Sequence, residues 1–208
     1  MYVRTSEVRG DPARIGDGIR SVREEIFPAV SEMDGCAGMS LLVDRQAGRC
    51  IATTSWRTED TMLANVDAVR PLRERVERVL GSTSGSDVRQ WEVAVVHRDH
   101  AAPEGSCARL TWLSGDPGMT DHAIDIYRMI VLPRIQGLDG FCSASLMVDR
   151  ETGRLVGTAA FDSLAAVEAS RDTAAHMRER AVGEIGAAVD GVDEMEIAFA
   201  HLHVPEMA

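Results

Sequence analysis

Two matched arginine–glutamate pairs give this chain its clearest opportunity for chemistry. Arg4 and Arg109 stand 105 residues apart, each inside an apolar stretch, and Glu92 and Glu196 stand 104 apart inside a second pair of matched stretches. A guanidinium offers a planar fork of donors, so an arginine in an apolar site can orient a ligand carboxylate or carbonyl. Set against a glutamate on a neighbouring strand, the same arginine makes a cross-strand ion pair instead. Trp112 and His176 add a ring and a titratable group for the mouth of such a site. No residue stands out as catalytic.

Other chemistries find less support. All 22 basic residues are Arg, which removes Schiff-base chemistry and the P-loop and kinase lysines together. His201-Leu202-His203 puts two imidazoles on one side of a strand and His97 precedes His100, but no HExxH or Cys/His cluster supplies further ligands. We therefore expect strand-end histidines and neither metal nor cofactor. Cys36, Cys50, Cys107 and Cys142 form no CxxC pair and no disulfide framework.

The elements that must position these residues occur twice. PAVSEMDGCAGMSLLVDRQAGR, starting at Pro28, returns as PRIQGLDGFCSASLMVDRETGR, starting at Pro133, so the chain is a duplication. Each copy opens with a short strand followed by Gly-Asp-Pro, an N-cap and a proline suited to the first helical position. Ile15, Ile19, Val22, Ile26, Val30 and Met33 then recur with the helical period, as do Ile124, Tyr127, Val131, Ile135 and Leu138. Pro28 and Pro133 fall late in these helices and should kink them. A hairpin follows, turning at Asp44 to Gly48 and at Asp149 to Gly153, then a second helix from Thr58 or Ser163, which Pro71 should divide in the first copy.

The last strands close each copy. Trp91, Val93, Val95 and His97 alternate with Glu92, Ala94 and Val96, and Met195, Ile197, Phe199 and His201 with Glu196, Ala198 and Ala200. Packing the large set on helices leaves the small set, glutamates included, lining a lumen with room for a ligand or filled from the opposite sheet. The order is β-α-β-β-α-β twice, an α+β class with helices on one face of each sheet. We expect ferredoxin-like repeats over 1–98 and 107–208, joined by a linker at 99–106. Their bare faces should pack together as an intrachain pseudo-dimeric α+β barrel, in a monomer with internal pseudo-symmetry or a homodimer.

Composition limits the partners. A net charge of −11 disfavours nucleic acid and anionic membranes. No apolar run reaches 18 residues, and the start MYVRTSEVRG lacks a signal core, so a cytoplasmic location is expected.

The helix stops Met33-Asp34-Gly35-Cys36 and Leu138-Asp139-Gly140-Phe141 and the strand ends that run into Thr58 and Ser163 resemble the antibiotic-biosynthesis monooxygenase family of dimeric α+β barrels. So do the closing strands Trp91 to Val95 and Met195 to Phe199. The resemblance spans both repeats. It implies an apolar or aromatic small molecule in the barrel, oriented by Arg4, Arg109, Glu92 and Glu196, with Trp112 and His176 at the mouth, and cofactor-independent oxygenation of it. A non-catalytic binding or interaction module is the alternative. The haem-degrading branch is similar in fold, but Thr5 or Leu110 stands near its first-strand Asn and Asn65 or Ser170 at its helical Trp.

Overall fold

In the computed structural model of the chain, which describes residues 1–202, the expected element order appears twice. The first copy runs β1 (Tyr2–Arg9), α1 (Ile15–Ser21), α2 (Phe27–Ser31), β2 (Cys36–Asp44), β3 (Arg49–Trp56), α3 (Glu59–Ala64), α4 (Val66–Leu80) and β4 (Ser86–Arg98). The second runs β5 (Cys107–Ser114), α5 (Thr120–Ile126), α6 (Leu132–Gln136), β6 (Phe141–Asp149), β7 (Arg154–Phe161), α7 (Leu164–Ala169), α8 (Arg171–Ile185) and β8 (Ala188–Leu202).

The chain forms two compact units whose border does not fall at the linker. Met1–Trp91 joins the end of β8 from Ile197 onward in one unit, and Glu92–Glu196 makes the other. The strand order in the first unit is β4-β1-β3-β2-β8, and in the second it is β8-β5-β7-β6-β4. Long strands β4 and β8 therefore each serve both units, and every strand has a hydrogen-bonded neighbour on either side.

Local chemistry explains the elements. Asp11 accepts from the Ala13 amide at 2.9 Å and Asp116 from the Gly118 amide at 2.8 Å, each starting a short 3₁₀ turn before the helix. Thr58 and Thr61 make a reciprocal capping box on α3, and the Ser163 hydroxyl accepts from the Ala166 amide on α7.

A wider helical turn precedes each of Pro28 and Pro133. Between α1 and α2 the chain takes one π-helical turn, Val22–Ile26, in which the Phe27 amide bonds the carbonyl of Val22 five residues back. Tyr127–Val131 does the same before Pro133. The wider turn accommodates the proline ring and its missing donor. Pro71 does not divide its helix; the break lies at Asn65, whose amide nitrogen donates to the carbonyls of Thr61 (2.8 Å) and Asp34 (3.2 Å). A side chain that competes for backbone carbonyls interrupts the ladder, whereas Pro71 removes one bond from a helix held by buried Val69, Val76 and Leu80.

Strict alternation along the last strands also fails, for a definite reason. β4 pairs with β6 through Glu92↔Val148 and Val93↔Met147, then slips so that Val95 meets Leu146. This bulge reverses the phase. Val148 and Leu146 belong to the helix-facing core, so Glu92 and Val95 share that face, while Val93 points the other way. In β8, Glu194 and Glu196 pair with Arg109 and Cys107, yet Phe199 and His201 already lie against the Phe27 ring of α2, so the phase changes there too.

Each sheet carries its core on the helical side, around Val8, Ile15, Val22, Leu41 and Leu80 in the first unit and Ile124, Tyr127, Leu146, Phe161 and Ile185 in the second. At the turn after β6, Gly153 has φ +70° and its amide bonds the carbonyl of Asp149. A Cβ there would collide with the Gly115 carbonyl. Gly153→Ala is expected to lower stability by about 1 to 3 kcal/mol, read from urea denaturation, through backbone strain and displacement of that contact.

Candidate functional site

The first strand of each unit places a buried guanidinium under the helices. Arg4 is 3% exposed and its Nη2 donates to the Met62 carbonyl at 3.1 Å; Arg109 is 5% exposed and its Nη2 donates to the Val167 carbonyl at 2.5 Å. Met62 and Val167 are equivalent residues near the ends of α3 and α7, so each arginine satisfies a carbonyl that a helix terminus leaves orphaned.

The two environments then diverge. Arg109 also donates from Nε and Nη2 to Glu194 Oε1 (3.1 and 2.8 Å) and from Nη1 to the Ser170 hydroxyl (3.0 Å), so its fork is fully engaged. Glu194 is held from outside by Arg171 at 2.6 Å. Partial burial pushes the Glu194 carboxyl up, but hydrogen bonds from Arg171 and Arg109 outweigh that and hold it below the usual glutamate value. In the first copy Gln90 stands where Glu194 stands in the second. Burial, with the charge of Arg73, pulls Arg4 below the ordinary arginine value, and its Nη1 finds no partner among the described residues.

A cavity of about 110 Å³ lies in the second unit, between the helix-facing side of β5, β6 and β7 and the helices above. Arg109, Thr111 and Leu113 of β5 and Leu155, Gly157 and Ala159 of β7 form its floor. Tyr127, Met177, Arg178 and Ala181 contribute from the helices. Its origin is visible when the copies are compared. Val69 and Val76, buried on α4, are replaced on α8 by Ala174 and Ala181, and both alanines line the cavity. Thr54 and Trp56 give way to Ala159 and Phe161. The lost side-chain volume opens between sheet and helix, because a close-packed core does not collapse fully around truncated residues.

The expected site residues are therefore not gathered in one place. Arg109 lines the cavity. Glu92 is bound by Arg150 (2.5 Å from Nε), which also holds Asp121 at 2.8 Å, rather than by a first-strand arginine. Arg109 takes Glu194 as its carboxylate, while half-buried Glu196 pairs with Cys107 two residues along the same face. Trp112 points to the opposite face of β5, where its indole donates to Asp193 at 2.7 Å. His176 is exposed on α8 and bonds the Asp172 carbonyl at 2.8 Å. None of Glu92, Ala94, Glu196 and Ala198 lines the cavity, whose strand lining comes from β5, β6 and β7 rather than from the closing strands.

Of the histidines, His97 hydrogen-bonds Gln136 at 2.6 Å and stacks on Phe141, His100 meets Asp99 at 2.9 Å, and His203 lies outside the described residues. Among the described residues no three His, Cys, Asp or Glu side chains come together as a metal site. Burial pushes all four thiols up, Cys50 to about 11. Glu194, Ser170, Tyr127 and Arg178 were not anticipated, although the alanine substitutions on α8 were available from the repeat offset.

No family model matches the chain. The Mycobacterium tuberculosis protein Rv2558 is 45% identical over 208 residues, covering all of this chain and 87% of the relative. Among solved structures, an anthrone oxidase-like protein superposes with a TM-score of 0.69 at 17% identity, covering 100% of this chain and 95% of the other. A ferredoxin-fold protein related to antibiotic biosynthesis monooxygenases, from Listeria monocytogenes, gives a TM-score of 0.52 at 8% identity over 94% of each chain. At these identities the likeness is one of fold.

Because the folded pKa of Glu194 is depressed, its stabilising contribution is present above the ordinary glutamate value and lost as pH falls through the folded one. Glu194→Gln is expected to cost about 1 to 3 kcal/mol at neutral pH, with the gap from wild type closing as the pH falls below the ordinary glutamate value, in melting temperatures recorded across that range.

Proposed function

The chain belongs to the family of the M. tuberculosis protein Rv2558 and has the fold of antibiotic biosynthesis monooxygenase-related ferredoxin-fold proteins, and from that premise we propose that it binds a small apolar or monocyclic aromatic compound in the cavity of its second unit. The observation that carries this reading is the cavity itself, opened by Ala174 and Ala181 where the other copy has valines. Its volume is of the order that holds one aromatic ring, as apolar cavities of ~150 Å³ do. The two repeats act as halves of a pseudo-dimeric α+β barrel in which one half carries the ligand. Arg109 supports the cavity floor; with its fork taken up by Glu194, Ser170 and Val167, it positions α7 and α8 rather than gripping the occupant.

Binding is placed ahead of turnover because the lining contains no His, Asp, Glu, Cys or Lys, the groups that most often move protons. The Tyr127 hydroxyl donates to the Ser145 carbonyl at 3.1 Å, and burial raises its pKa. Oxygenation of the bound compound is the second reading, favoured by the fold shared with an anthrone oxidase-like protein. Oxygen uptake that begins only when a candidate compound is added would move it ahead.

Titration with 4-ethylbenzamide, a neutral single-ring probe, should shift the methyl NMR signal of Met177 saturably. Ala181→Leu, which fills the cavity, is expected to abolish that shift while leaving stability unchanged or raised by about 0.5 to 2 kcal/mol. Undiminished binding by the filled variant would place the ligand elsewhere.

A further inference from the structure

The copies differ in one more respect on the face that lines the cavity. In α4, Arg73 has Glu77 one turn on, with Nε 3.8 Å from the carboxylate. In α8 the equivalent pair is Arg178 and Val182, and both line the cavity. The neighbours of Arg178 at three and four positions on either side are Ala174, Ala175, Ala181 and Val182, so no acidic side chain of its own helix can reach it. Among the described residues Arg178 has neither hydrogen bond nor ion pair, and no carboxylate lines the cavity. The other cation there, Arg109, is already matched by Glu194. One unmatched, half-buried guanidinium thus stands in the wall of an apolar cavity, in a chain whose net charge is −11.

We propose that the ligand is an amphipathic acid, with its apolar or aromatic body between β7 and α8 and a single anionic group held by Arg178. The inference rests on the reading of the cavity as a ligand site. Three substitutions on one helix face carry it: two valines to alanine make room for the body, and glutamate to valine frees the cation for the head. A guanidinium fork bonds a carboxylate through two parallel donors, and with apolar walls on one side the pairing is less screened than at an open surface. A neutral ligand would leave that charge answered only by water.

The test is a matched pair, 4-ethylbenzoate and 4-ethylbenzamide, titrated into the full chain by calorimetry with the Met177 methyl signal as locator. Wild type should bind the acid at least about tenfold more tightly than the amide, the scale of a hydrogen bond between charged groups. Arg178→Met should erase that preference and leave the affinity for the amide unchanged. Val182→Glu, which gives Arg178 the partner that Arg73 has, should erase it as well. Equal affinities in wild type, or a preference that survives Arg178→Met, would overturn the proposal while leaving the cavity reading intact. If neither compound binds and the Met177 signal stays fixed, the cavity reading fails and this inference with it.

Discussion

Everything above the sheet depends on a guanidinium beneath it. The first strand of each copy sends an arginine up to the last carbonyls of the short helix α3 or α7, at the elbow where the long helix α4 or α8 begins. A helix end packed on a sheet leaves carbonyls that water cannot easily reach, and in each copy the buried cation answers one of them. Burying that cation is costly unless its remaining donors are met. The second copy meets them with Glu194 and Ser170, which ties the start of α8 to β5 and β8.

Much of this architecture was legible in the letters. A duplication at constant offset, the capping residues Asp11, Thr58, Asp116 and Ser163 and the glycines at the hairpin turns specify the element order because each is a local decision made by a few neighbouring residues. What escaped were choices made against distant partners. The bulge beside Ala94 cannot be seen in β4 alone, since an apolar strand tolerates either phase and only the partner strand β6 decides between them. One slipped residue puts Glu92 and Val95 on the same, helical side of the strand. The repeat offset matches Arg109 with Glu196, whereas its carboxylate is Glu194, two residues away, because register fixes the pairing and periodicity does not. Propensity points to Pro71 as the helix break, whereas the Asn65 side chain makes it through carbonyls, one of them thirty-one residues back in sequence.

The candidate site shows the converse. Nothing about Ala174, Ala181 or Val182 is unusual when α8 is considered alone, for alanine is the best helix former and valine an ordinary one. Their meaning appears only beside Val69, Val76 and Glu77, the residues that fill and neutralise the same places in α4. An internal repeat supplies its own reference structure. Differences between copies that share a backbone isolate what side chains do from what the fold requires.

The strands β4 and β8, each divided between the two units, change what it means to cut this chain. Residues 99–106 join the repeats in sequence, yet the end of β4 and the start of β5 both belong to the second unit. Cleavage there would not release two independent modules. The amino-terminal fragment would still lend Glu92 to Arg98 to a sheet made by the other, and the carboxy-terminal fragment would lend its strand from Ile197 in return. Separating them would strip backbone hydrogen bonds from both sheets in one event, so the nicked protein would persist as a clasped heterodimer. Two such halves, supplied from separate genes, form a natural pair for fragment complementation.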